Sequence, residues 1–287
     1  MNMSRFKYKE CKQGTEEWLE VKEGCVGGSG ISAVIERRYA FGNRYTQAVK
    51  SLRIGELRQN QAMKHGNKHE SKAAEAASHI FKGLKLEERG WAILCSNRHV
   101  GVSPDRVIPN ASDAAWDVIC TLARERGHDP SSWSRRGGLE IKCPWKYRNR
   151  VPPYKTVPVW YMDQLQLCMH VLSCDWWILL IWSPKGHCVW VVERDDTWWE
   201  FIKPCVHAFQ SLVSWSVEEG DDDEMVKRGV AVLKTAFQDN KVIDSLQRGN
   251  LQLRPVDAYA NPRVAKAFRI LLKDMDSLTS HFKKKST

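Results

Sequence analysis

Nowhere in this chain do two of its nine cysteines form a C-x-x-C pair, so the spacing of a zinc site or an iron–sulfur cluster is missing. Their odd number and scatter are the pattern of reduced core thiols in a reducing compartment, not of a disulfide framework. Long apolar runs are missing too. The longest, around Trp176–Trp182, falls far short of the ~18 residues that span a bilayer. The opening stretch MNMSRFKYKECKQ has neither the apolar core of a secretory signal nor amphipathic transit character. These absences point to an intracellular protein, in the cytoplasm or nucleus of a host, with no membrane partner.

What the chain has in excess is positive charge and tryptophan. Its net charge of +10 favours an anionic partner such as nucleic acid and is silent about fold. Thirteen tryptophans can be core residues or stacking platforms for bases, and composition does not choose between them. A length of 287 residues suffices for one large α/β domain, or a domain with a helical appendage.

Hydrophobic periodicity organises the chain. The first ~60 residues read as helical, with Trp18, Leu19, Val21, Val26, Ile31, Val34 and Ile35 as the apolar set. The Gly-rich turn at 24–30 breaks that set and opens a second helix with Ser29 or Ser32 as its N-cap. A helix from His65 to Phe81 puts Glu70 on one stripe with Ala73, Ala74, Ala77 and Ile80. A carboxylate there must be paired, bound to metal, or at the edge of the core. Strands are expected at Trp91–Cys95, His99–Ile108 and Gly138–Pro144, then a helix at Tyr161–Ser173. A strand pair follows, Asp175–Ser183 and Gly186–Arg194, turning at Pro184-Lys185-Gly186. Between the second and third strands, 109–137 reads as a polar insert with a short helix at Trp116–Arg126 and breakers at Arg135-Arg136-Gly137-Gly138. From Thr197 the chain is mostly helical, with an acidic patch at Glu218–Glu224 and a Lys283–Lys285 tail. The expectation is an α/β fold: a mixed central sheet flanked by helices, with helical extensions at both ends. The core would span 1–195, and 196–287 would form an extension packed on it.

Side chains alternate along Gly138–Pro144, so Leu139 and Ile141 enter the hydrophobic layer while Glu140 and Lys142 share the other face. Alone, E-x-K describes any amphipathic strand. Upstream, Pro104 forces an irregular backbone at Ser103-Pro104-Asp105. On neighbouring strands, the two segments would gather two carboxylates and an ammonium at one sheet edge. Such carboxylates with a backbone carbonyl form the hard oxygen set of Mg²⁺. The ion lowers the pKa of a water, which an ammonium can orient while stabilising developing negative charge.

Ser103-Pro104-Asp105 followed by Glu140-Ile141-Lys142 resembles the PD-(D/E)xK nuclease signature. The flanking blocks resemble one branch of it, the YqaJ-like viral recombinases of the phage lambda exonuclease type. Gln13 to Leu19 with Lys22-Glu23-Gly24 is similar to that branch's opening helix, and Gly28-Ser29 to its T-A/G-S turn. His65-Gly66-Asn67 with Glu70 resembles its G-x-x-x-E helix, and Tyr161 to Gln166 its closing Y-x-x-Q-x-Q helix. The resemblance covers 13–173. It implies a restriction-endonuclease-like core in which Asp105, Glu140 and the Ile141 carbonyl hold one Mg²⁺, with Mn²⁺ as substitute. Glu70 would hold or position a second ion, Lys142 would activate the water, and Gln164 would support it, although a satisfied core amide explains Gln164 equally. Lys22 and Ser29 are expected to anchor a terminal 5′ phosphate, with Ser103 as a further phosphate contact. A solvated lysine and a plain N-cap are the alternatives.

The implied activity is an exonuclease resecting linear duplex DNA from 5′ ends in recombination or replication of a viral or phage-like genome. A structure-specific or nicking endonuclease, and a non-catalytic DNA-binding protein on the same fold, are the competing readings. The resemblance also implies a single-strand annealing protein as partner and a homotrimer. Three features depart from the family. Lys22 stands where arginine is usual and lacks its bidentate fork. Arg106 stands where glycine is frequent. Asp105 and Glu140 lie much further apart in sequence than is typical.

Overall fold

Seven strands among the described residues divide between two sheets. The computed structural model describes residues 6–35, 47, 51 and 60–218; the acidic patch past Glu218 and the lysine tail lie outside them. The chain forms two units, Met1–Ser29 with Gly55–Asp195, and Gly30–Ile54 with Asp196–Thr287.

In the first unit, β1 (Phe6–Lys9), β2 (Trp91–Leu94) and β3 (Asn97–Val102) form an antiparallel sheet in that order. The second sheet runs β4 (Arg106–Ile108), β5 (Gly137–Lys142), β6 (Trp176–Ser183), β7 (Gly186–Glu193). It is mixed, because β5 and β6 are parallel while the outer pairs are antiparallel. The single strand expected over His99–Ile108 is therefore two strands in different sheets. Pro104 has no N–H for a ladder bond, and the chain crosses from one sheet to the other at Ser103-Pro104-Asp105.

Helix packing explains which face of the second sheet carries chemistry. On one face, α3 (Gln61–Ile80) and α4 (Asp113–Arg124) bury Ala73, Ala77, Ala115 and Ile119 against Leu139, Ile141, Ile178 and Leu180. The other face meets α5 (Val159–Leu172), which contacts strands of both sheets. A helix enclosed in this way buries its polar residues with its apolar ones, so Asp163, Gln164 and Gln166 are buried beside Leu165 and Leu167.

Residues of 109–137 contribute to the hydrophobic core. Ser112 caps α4, accepting from the Ala115 N–H at 3.4 Å, and α4 supplies apolar residues to the main cluster. Trp133 Nε1 then donates to Glu193 at 3.2 Å, and Trp176 Nε1 to the Ser134 carbonyl at 2.8 Å. Gly137 and Gly138 are not breakers but part of β5. A Cβ on Gly138 would come 2.1 Å from the Trp177 ring, and one on Gly137 2.6 Å from the Trp176 ring. Among the described residues, seven tryptophans and six cysteines are buried, while Trp145 and Cys95 are exposed. Burial pushes the Cys25 and Cys143 thiols up, to about 11 and about 12, which keeps them protonated and unreactive.

Over residues 6–28 the chain is less helical than its apolar spacing suggests. β1 is a strand, and α1 (Glu16–Val21) is short and capped by Thr15. Val26 then bridges to β3, its N–H bonded to the His99 carbonyl at 2.8 Å and its carbonyl accepting from the Gly101 N–H at 3.2 Å. Backbone pairing to a sheet thus replaces the helix. In the second unit α2 (Ile31–Val34) packs on α6 (Asp196–Glu218). Gly30 is the N-cap of α2, so neither Ser29 nor Ser32 caps it. Among the described residues no helix is long and apolar enough to cross a membrane.

Candidate active site

Strand alternation on β5 sends Glu140 toward α5, where its carboxylate is 1% exposed. Its Oε1 accepts from Lys142 Nζ at 2.5 Å and from Gln164 Nε2 at 2.6 Å. Its Oε2 is buried with no hydrogen-bond partner. Asp105 arrives from the crossing between the sheets and is anchored by the Ile141 N–H, which donates to Oδ2 at 2.7 Å. One strand therefore holds both carboxylates, Glu140 through its own backbone and Asp105 through the neighbouring amide. Tyr161, buried on α5, lies over Lys142 with its ring centroid 5.4 Å from Nζ.

Crowded charge dominates the electrostatics. Burial first, then the Glu140 and Glu70 carboxylates, hold Asp105 well above the usual carboxylate range, against Lys142 and the Ile141 N–H, which favour its charged form. For Lys142, burial disfavours the ammonium, but Glu140 and Asp105 outweigh it and raise the pKa above that of an ordinary lysine. The two carboxylates thus favour the charged ammonium of Lys142.

Glu70, on α3, is half-exposed and accepts from Arg106 Nη1 at 2.9 Å. The same nitrogen donates to the Asp105 carbonyl, and Arg106 Nη2 lies 3.1 Å from Glu88. The sequence had offered no role for Arg106; its one signal was its place directly after Asp105. Among the described residues, no group of three or more His, Cys, Asp or Glu side chains forms a metal cluster. The donors present nevertheless fit a single hard cation. A buried carboxylate oxygen without a donor, beside a second carboxylate with a raised pKa, is an oxygen set short of one positive charge.

A second group lies at α1. Lys22 Nζ sits 3.6 Å from the Trp18 ring centroid and 5.3 Å from that of Trp91. Trp18 Nε1 donates to Ser103 Oγ at 3.4 Å, and Ser103 Oγ in turn to Gln13 Oε1 at 3.5 Å. Lys22 and Ser103 therefore share Trp18 as a neighbour. Ser29 is exposed on the turn that begins at Gly28. That turn reaches the first group, since a Cβ on Gly28 would lie 3.2 Å from Gln164 Cγ. Gln13 and Trp18 belong to the opening sequence block but had no individual role there.

Solved structures place this fold. An alkaline exonuclease (LHK-Exo) from Laribacter hongkongensis is 23% identical with a TM-score of 0.52, over 76% of this chain and 100% of that one. The same exonuclease in complex with dAMP is 22% identical, with the same TM-score and coverage. The architecture is thus the PD-(D/E)xK-like fold of phage-type exonucleases. The chain belongs to the YqaJ-like viral recombinase domain family, whose model matches residues 17–175. No curated protein sequence matches it.

Proposed function

We propose that this chain is a metal-dependent deoxyribonuclease, and within that class an exonuclease resecting linear duplex DNA from 5′ ends in recombination or replication of a viral or phage-like genome. The observation that carries the reading is the Glu140 carboxylate, buried with one oxygen unsatisfied beside Asp105. A buried carboxylate oxygen without a hydrogen-bond partner is costly, and a bound cation removes the cost. Family membership and a net charge of +10 support DNA as substrate.

Asp105, Glu140 and the Ile141 carbonyl would hold Mg²⁺, or Mn²⁺ in its place. When bound, that ion supplies a water of lowered pKa and neutralises charge on the phosphate. Gln164 and Lys142 hold Oε1 of Glu140 and so leave Oε2 to the cation. Lys142, kept charged, directs its remaining N–H donors at the phosphate and stabilises the charge that develops there. Lys22, Ser103 and Ser29 take the terminal 5′ phosphate. Family membership further supports a homotrimer and a single-strand annealing protein as partner.

The test is a time course on linear and covalently closed circular duplexes with Mg²⁺, Mn²⁺, Ca²⁺ or chelator. Linear duplex should fall to mononucleotides or short products with Mg²⁺ or Mn²⁺ only, Ca²⁺ should support binding without cleavage, and closed circles should survive. Rapid linearisation of the circles would make the protein an endonuclease. Binding without cleavage under every condition would make it a DNA-binding protein on this fold.

A further inference from the structure

We propose that the Arg106 guanidinium is a built-in cation that claims Glu70, so this centre takes one divalent ion, at Asp105 and Glu140, and Glu70 stays outside its coordination. The proposal rests on the reading of the centre as a metal-dependent nuclease.

Three carboxylates share this neighbourhood. Arg106 Nη1 links Glu70 to the Asp105 carbonyl, and the Asp105 carboxylate is held by the Ile141 N–H, next to Glu140 on β5, so the three belong to one site. Their partners differ. Glu140 gives one oxygen to Lys142 and Gln164 and keeps the other without a donor. Glu70 gives its Oε1 to Arg106 at 2.9 Å. With Glu88, the other carboxylate at Arg106, the region sets two side-chain cations against four carboxylates, a deficit of two charges that one divalent ion neutralises and two would reverse. The lack of any convergent three-carboxylate cluster among the described residues is independent of this charge count and agrees with it.

Arg106 is built to stay. It is the first residue of β4, in register with Leu139 of β5, so its backbone is fixed to the strand that carries Glu140. Its side chain is 11% exposed and held at three points, the Glu70 carboxylate, the Asp105 carbonyl and the Glu88 carboxylate. A guanidinium cannot lose its proton in a protein, so this cation persists at every pH where the fold does. Its contact with the Asp105 carbonyl also steadies the residue that would coordinate the ion. Arg106 is therefore a positioning residue, and its engagement with two carboxylates leaves it poorly placed to bind DNA phosphate.

The experiment counts ions on the full chain by calorimetric titration with Mg²⁺ and Mn²⁺ and by Mn²⁺ paramagnetic resonance, without DNA. The wild type should bind one ion. Arg106→Gln and Arg106→Met, both keeping much of the side-chain length, release Glu70 and should bind two. Adding Glu70→Gln to either should return the count to one, and Arg106→Lys should keep it at one. Thermal melting by circular dichroism identifies which variants fold. Two ions in the wild type overturn the proposal whatever the variants do and leave the nuclease reading intact. One ion in a folded Arg106→Gln or Arg106→Met protein also overturns it. No ion in the wild type overturns both readings together.

Discussion

Two regions of the first unit each hold a lysine suited to phosphate, and they hold it by different physics. Lys142 is paired with the Glu140 carboxylate under the Tyr161 ring. Lys22 lies on an indole face, 3.6 Å from the Trp18 centroid. The first lysine is defined by charge at short range, where energy falls steeply with distance and geometry is exacting. The second is held by the quadrupole of a broad ring, which tolerates displacement and alternative cations. A centre that must place a reacting group needs the first kind of grip. A clamp that must only catch an end can use the second.

The sharpest break of the comparison is to remove the first region's charges. Glu140→Gln or Lys142→Ala should slow single-turnover digestion of linear duplex by several orders of magnitude, ~4 kcal/mol or more. Undiminished cleavage by both variants would place the chemistry elsewhere. Replacing lysine by arginine then tests tolerance directly. Lys142→Arg must fit a planar fork where a compact ammonium sat, and a misplacement of this order costs about a hundredfold in the same assay.

Gln164→Ala removes one charge-assisted hydrogen bond from Glu140. Affinity for Mg²⁺, measured calorimetrically, should weaken about ten- to a hundredfold, as for other residues that orient a ligand. Unchanged affinity would make Gln164 a core amide only. In the second region, Lys22→Ala removes a contact worth about 1.5–3 kcal/mol. Digestion of 5′-phosphorylated ends should slow about ten- to a hundredfold, with little change on 5′-hydroxyl ends. Equal slowing of both would assign Lys22 to folding or general DNA affinity. The smallest effect belongs to Lys22→Arg, since a guanidinium also stacks on Trp18 and binds phosphate. Rates on phosphorylated ends should stay within about threefold, in keeping with an exposed cation–π difference of under ~1 kcal/mol. A hundredfold loss there would erase the distinction between the two lysines.

The parts of the centre that could be read in advance are those set by short-range rules. The period of two along β5 puts Glu140 and Lys142 on one face whatever the rest of the chain does. Pro104 interrupts a ladder wherever it stands. Inward spacing on the closing helix places Gln164 beside Leu165 and Cys168. The misreadings share a long-range cause. Gly137-Gly138 reads as a breaker until Trp176 and Trp177 arrive on a parallel neighbour some forty residues later and need the space. The apolar side of α4 is visible in sequence, but its destination, the face of Leu139 and Ile141, is not. β1 is four residues, too short for periodicity to outweigh the helical spacing that follows, and only pairing with β2 makes it a strand.

By itself, then, the sequence determined the donor chemistry of this protein: which residues are acidic, which of them share a face, and where a proline must break a strand. Tertiary structure alone decided the pairing of charges. Asp105 and Glu140 are separated in sequence by β4, α4 and a 3-10 turn at Pro130–Ser132, and they meet because the Ile141 amide captures one while the strand presents the other. Arg106 finds Glu70 on a helix that precedes it by more than a strand. Coulomb energy depends on distance in space, and distance in sequence carries almost no information about it until sheet register has been set.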